Sequence, residues 1–84
     1  MKTHEQYTLY DYIKRFCNIH CIPLNSFAKN INYRDSYHLK NIKRPRLDKY
    51  FLMAEYMASV SKMPLPFYLF RLKQVIEGEY RCRD

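Results

Sequence analysis

The chain has 84 residues, 48% of them hydrophobic and 17% aromatic, and a formal charge of +7. That length leaves room for one small domain and no second core, while the apolar content excludes an intrinsically disordered chain. The charge excess points to a polyanionic partner, nucleic acid or an anionic surface, and no apolar run reaches the ~18 residues of a membrane span.

With one glycine, Gly78, the chain must turn on Asn, Asp, Ser and Pro, and its loops are expected to be short. No stretch alternates at period two, whereas several follow the helical period. The first helix is predicted at about residues 8–20, with Leu9, Ile13, Phe16 and Cys17 on one stripe and Lys14, Arg15 and Asn18 opposite. Pro23 ends that stretch and is suited to open a second helix at about 24–31, where Phe27, Ala28 and Ile31 face inward.

"NINYRD" is the next turn, and Asn32 can take the left-handed backbone that usually calls for glycine. Asp35 or Ser36 can cap a third helix at about 35–43 that buries Leu39 and Ile42, and "KRPR" stops it at Pro45. Asp48 is expected to cap a fourth helix, about 48–60, with Tyr50, Phe51, Ala54 and Met57 on its core stripe. "SKMPLP" reads as a linker, and Pro66 opens a fifth helix at about 67–77. The fold expected is all-α, a compact bundle of about five short helices in a single domain over 1–84.

The charge is local. Between Lys29 and Lys49 stand seven cations, Lys29, Arg34, Lys40, Lys43, Arg44, Arg46 and Lys49, against Asp35 and Asp48, a net +5. The segment "NINYRDSYHLKNIKRPRL" interleaves five of them with Leu39, Ile42 and Leu47, which are placed to face a core. A solvated loop has no use for those apolar residues, and a core helix has none for so many cations. A helix that buries one face and offers the other to a polyanion uses both.

From about Leu9 to Met57 the pattern resembles the helix-turn-helix of the phage repressor and Cro-like family. "PLNSFAKNIN" looks like that family's second helix, with Ala28 at the small position where two helices cross closely. "YRDSYHLKNIKRP" is similar to its recognition helix and the basic loop after it, and "RPRLDKYFLMAEYM" is similar to its fourth helix. Two departures stand out. Asn32 occupies the place where glycine is usual, and the spacing from Ala28 to Leu39 is one residue longer than the common pattern.

The resemblance implies a sequence-specific, double-stranded-DNA-binding transcriptional regulator of bacterial, phage or plasmid type, acting as a homodimer. The third helix would lie in the major groove, with Arg34, Ser36, Tyr37, Lys40 and Asn41 toward base edges. Asn25, Ser26, Lys29, Lys43, Arg44 and Arg46 would hold phosphates. Phe67, Leu69, Phe70, Leu72, Val75 and Ile76 offer more apolar surface than one stripe needs, which makes them candidates for a dimer interface; the alternative is that they cap the domain's own core.

Other chemistries have less behind them. Cys17, His20 and Cys21 share a helical face at spacings of three and four, with His4, His38 or Cys82 available as a fourth zinc ligand. A core cysteine followed by a helix-terminal histidine accounts for the same residues, so no metal or other cofactor is expected. The Cys-x-x-Cys-His order of haem attachment is absent, as are a phosphate-cradling glycine loop and a catalytic triad pattern, so the chain is not expected to be an enzyme or to bind a small molecule. Nine tyrosines raise RNA binding as an alternative, but they are spread around the chain rather than gathered on the basic patch, and most are expected at the rim of the core. A further alternative is a protein-interaction module, an antitoxin or adaptor, on the same helices. No helix concentrates its cations as a membrane-surface helix does. "MKTHEQYTLY" lacks the apolar stretch of a signal peptide, and the three cysteines lack the spacing of a disulfide framework, so a cytoplasmic location is expected.

Overall fold

The computed structural model describes residues 7–40, 42 and 44–79, which form five helices and, among these residues, no strand. The first, α1, spans Leu9–Ile19. Its start is a capping box: the Thr8 hydroxyl accepts the Asp11 N–H at 3.1 Å, and the Asp11 carboxylate accepts the Thr8 N–H at 3.0 Å. Leu9, Ile13, Phe16 and Cys17 are buried as their spacing predicts, and Tyr12 joins them. After His20 the chain turns through Cys21 in the left-handed region (φ 58°). The Ile22 N–H reaches back to the Cys17 carbonyl (2.9 Å) and the Cys21 N–H to that of Asn18 (3.4 Å), the paired closure of a Schellman turn.

Helix α2, Leu24–Asn30, begins directly after Pro23, which caps it from one position outside. Phe27, Ala28 and Ile31 are fully buried. The exit is a second Schellman turn. Asn32 takes φ 63°, its N–H bonds the Lys29 carbonyl (3.1 Å), and the Tyr33 N–H bonds that of Ala28 (2.8 Å). Asn32 thus does the work of a glycine, as its place in the sequence suggests.

Helix α3, Ser36–Lys40, is shorter than the span expected to about residue 43. Ile42 lies outside any helix, half-buried, with its N–H on the Leu39 carbonyl (3.3 Å) in one tight turn. Pro45 disfavours helical geometry at Arg44, so the helix has nothing to run into. Asn41 and Lys43 lie outside the described residues.

Helix α4 spans Leu47–Ser61 and α5 spans Leu65–Ile76, joined by three residues. Arg46, not Asp48, is the N-cap of α4; Asp48 sits in the first turn, where a carboxylate favours the helix dipole. The buried stripe of α4 is Met53, Ala54, Met57 and Ala58 with half-buried Tyr50 beside them. Phe51, expected on that stripe, is 41% exposed because it lies one helical step round from Tyr50. In α5, which opens at Leu65 with Pro66 in its first turn, Tyr68, Leu72 and Val75 are buried. The two helices form the most extensive pair in the fold, and the Tyr50 hydroxyl donates to the Leu69 carbonyl across it.

All five helices contribute to one cluster of buried residues, centred on Ile13, Phe27, Ile31, Leu39, Met53, Met57 and Leu72. Phe16 links α1 to the rest through edge-on contacts with Phe27 (6.3 Å between centroids) and Tyr68 (5.8 Å). Tyr7, Tyr10, Tyr33, Tyr50 and Tyr56 do sit at the rim of this core, whereas Tyr12 and Tyr68 are inside it.

Candidate nucleic-acid interface

The two short helices α2 and α3 pack against each other, and polar side chains fix how. Asn25, in the first turn of α2, accepts the Ser36 N–H on its Oδ1 at 2.8 Å. That bond ties the start of α3 to the start of α2 and satisfies one of the amide groups a helix leaves free at its N-terminus. Asp35 caps α3 from the other side, its carboxylate 3.4 Å from the His38 N–H and 2.8 Å from the His38 Nδ1. The hydrogen bond from His38 holds the Asp35 carboxyl below its ordinary value.

The turn between the helices is clamped from α4. Lys49 Nζ donates to the Asn32 carbonyl (2.9 Å) and more loosely to that of Ile31 (3.4 Å), and it lies 4.9 Å from the centre of the Tyr33 ring. Burial, then the charge of Asp48, pushes the Tyr33 hydroxyl up in pKa. Lys49 therefore stabilises the carbonyl end of α2. It counts in the basic segment of the sequence, but its ammonium group is engaged by these carbonyls.

Five residues are expected at base edges. Arg34, Tyr37 and Lys40 are exposed, Tyr37 at 65%, and Ser36 is half-buried with its N–H engaged by Asn25. Leu39 is fully buried between them, so α3 does present an outer face opposite its anchor. Asn41 lies outside the described residues. Of the residues expected at phosphates, Ser26, Lys29, Arg44 and Arg46 are exposed, and Lys43 lies outside the described residues. Asn25 is also exposed, but its carbonyl oxygen is already committed to α3.

The α5 residues considered for a dimer interface divide. Leu72 and Val75 belong to the domain's own core, Phe67, Leu69 and Ile76 are half-buried against it, and Phe70 is 63% exposed. Phe67 is itself covered by the Arg71 guanidinium at 4.9 Å. Only Phe70 is left fully outward.

No three metal-ligating side chains gather among the described residues. Cys17 is buried, which pushes its thiol up to about 11, and the His20 ring packs on Phe16 at 4.4 Å. Cys21 is exposed at its turn, while His4 and Cys82 lie outside the described residues. Among the described residues, no helix is long and apolar enough to cross a membrane.

Two residues gain a role that the sequence alone did not suggest. Lys49 reads as one more cation, and its use as a clamp depends on partners 17 and 18 residues away. His38 stands in the sequence as a potential metal ligand, and its spacing of three from Asp35 at a helix start is the signal for a capping pair. In comparisons with protein-family models, with curated proteins and with solved structures, nothing matches this chain.

Proposed function

We propose that this chain is a sequence-specific, double-stranded-DNA-binding transcriptional regulator in which α2 and α3 act as a helix-turn-helix and α3 enters the major groove. The observation that carries the reading is the division of α3. Leu39 is fully buried, while Arg34, Tyr37 and Lys40 around it are exposed and are followed by exposed Arg44 and Arg46. A groove-reading helix needs that division, together with cations beside it to hold phosphates. The clamps on the turn support the reading further, because base contacts require a helix start fixed to a fraction of an ångström.

Binding of the full chain to duplex and single-stranded DNA, followed by fluorescence anisotropy against salt, tests this. Five exposed cations, Lys29, Arg34, Lys40, Arg44 and Arg46, give an expected slope of log K on log salt of about −4 to −5 per protomer. Arg44→Ala or Arg46→Ala should reduce that slope by about one unit and weaken all sequences alike. Salt-independent binding, or a preference for single strands, is incompatible with the proposal.

A second reading, a protein-interaction module, draws on a different observation. Leu47 (69% exposed), Phe70 (63%) and Phe51 (41%) leave apolar side chains outside the core. On that reading duplex DNA binds weakly, and Leu47→Ser and Phe70→Ser abolish capture of a protein partner. A homodimer remains part of the first reading, with Phe70 as its most accessible anchor.

A further inference from the structure

We infer that His38 is a base-reading residue of α3, held by Asp35 in the tautomer that leaves Nε2 free as a hydrogen-bond acceptor. The inference rests on the DNA-binding reading above and deepens it by stating which base edge that position takes.

His38 and Asp35 form a close side-chain contact on this surface. Nδ1 lies 2.8 Å from the carboxylate, yet the two side chains are 47% and 44% exposed. A carboxylate can only accept, so the proton of that bond belongs to Nδ1. Asp35 is the ionised partner throughout the neutral range, since His38 holds its carboxyl low. Neutral imidazole carries one proton, which leaves the lone pair on Nε2. The same carboxylate accepts the His38 backbone N–H, so ring and helix start are fixed together.

The position of His38 on the helix suits a reader. At the helical repeat of 100° per residue, Tyr37 lies nearly opposite buried Leu39, with His38 and Lys40 to either side of that outward face. The Tyr37 ring stands edge-on to the imidazole at 6.0 Å. An acceptor at this place complements the exocyclic amino groups of cytosine and adenine, and it repels the N7 and O6 acceptors of guanine. Lys40 on the other flank is a donor and favours guanine. The two flanks of α3 thus carry opposite hydrogen-bonding character.

The test is selection of duplexes from a randomised pool by the full chain and by its His38→Ala and Asp35→Ser forms at about pH 8. Serine is itself a good N-cap, so Asp35→Ser keeps the start of α3 while removing the carboxylate. The wild-type chain should prefer cytosine or adenine by roughly three- to tenfold at one position. His38→Ala should level that position alone, and Asp35→Ser should let guanine rise there while the rest of the selected sequence stays. Nitrogen-15 spectra of the free protein should place the proton on Nδ1 in the wild type and move it toward Nε2 in Asp35→Ser. If the wild type selects a sequence that His38→Ala leaves unchanged at every position, the inference fails and DNA reading stands. A wild-type ring protonated at Nε2 also overturns it. If the wild type selects no duplex sequence, DNA reading and the inference fall together.

Discussion

The α4–α5 pair and the α2–α3 pair are built by different means. The first consists of helices of 15 and 12 residues that pack together and contribute Met53, Ala54, Met57, Tyr68, Leu72 and Val75 to the buried core. The second consists of helices of 7 and 5 residues, too short to persist in water on their own, anchored by Phe27, Ala28, Ile31 and Leu39. What those few anchors leave undetermined is fixed by polar bonds: Asn25 to Ser36, Asp35 to His38, and Lys49 to the turn. A surface that must stay exposed and polar cannot be positioned by burial, so hydrogen bonds place it. Burial decides where the scaffold is, and side-chain to backbone bonds decide where the proposed reading surface is.

The two pairs should differ most in their response to loss of Leu72 and Leu39, both fully buried. Each Leu→Ala change should cost about 2–5 kcal/mol, a large part of the stability of a domain this size. Their reach should differ. Leu72→Ala removes a residue of the scaffold and should lower protection of all helices together in hydrogen exchange. Leu39→Ala removes the sole fully buried side chain of α3 and should expose the amides of α3 first, with α4 and α5 still protected. Uniform loss of protection in both variants would show the two pairs to be a single cooperative unit.

Cys17 sharpens the buried side of the contrast. Its thiol is raised from 9.0 to about 11 because burial disfavours the thiolate. Between these values the unfolded chain loses the proton while the folded chain keeps it. Stability is therefore fully present below about pH 9 and falls as pH rises toward and past the folded value of about 11, a loss on the order of a few kcal/mol in all. Tyr33 and Tyr50, also raised by burial, act in the same direction from about pH 10. Urea midpoints between pH 8 and 10 should fall for the wild type and stay nearly level for Cys17→Ala, whose overall stability is lower. Parallel slopes for both proteins would remove Cys17 as the cause.

Lys49→Met addresses the polar side. It keeps most of the stem and removes the donor to Ile31 and Asn32 as well as the charge over Tyr33. The expected loss is about 1–2 kcal/mol, with amide protection falling first in the turn from residue 31 to 35. Because this charge is already engaged, the salt slope for duplex DNA should stay within about half a unit of the wild type, unlike that of Arg44→Ala. A full unit of change would place Lys49 on a phosphate and return it to the surface.

Much of this was legible in the residues. Each helix announces itself by an apolar stripe and by Thr8, Pro23, Asp35, Pro45 or Pro64 near a boundary, and Asn32 marks its own turn. The phase of α4 was legible at Ala54 and Met57 but not at its start. "YFLM" is apolar at four successive positions, so periodicity alone cannot choose Met53 over Phe51, and the choice falls to α5 packing alongside. For the same reason the sequence left Leu72 and Phe70 equivalent, where one is core and the other is outside. The bonds of Asn25 and Lys49 join residues 11 to 18 apart, beyond any local pattern.

The smallest expected effects concern the turn inside each pair. Helix α4 closes through Lys62 at φ 63°, with the Met63 N–H on the Ala58 carbonyl, and α2 closes through Asn32 at the same φ. A side chain with a Cβ costs about 1–2 kcal/mol in this region, less for asparagine, whose short polar side chain is tolerated there. Lys62→Gly should therefore raise stability by about 0.5–1 kcal/mol net, after the greater entropy of glycine in the unfolded chain is set against it. Asn32→Gly should change stability by only a few tenths. The scaffold turn thus has stability to gain where the turn beside the proposed reading helix has almost none. If Asn32→Gly gains as much as Lys62→Gly, asparagine is a strained stand-in for glycine at that turn. In that case the extra residue between Ala28 and Leu39 distorts the turn rather than being absorbed by it, and the placement of Tyr37, His38 and Lys40 on a common outer face would need to be redrawn.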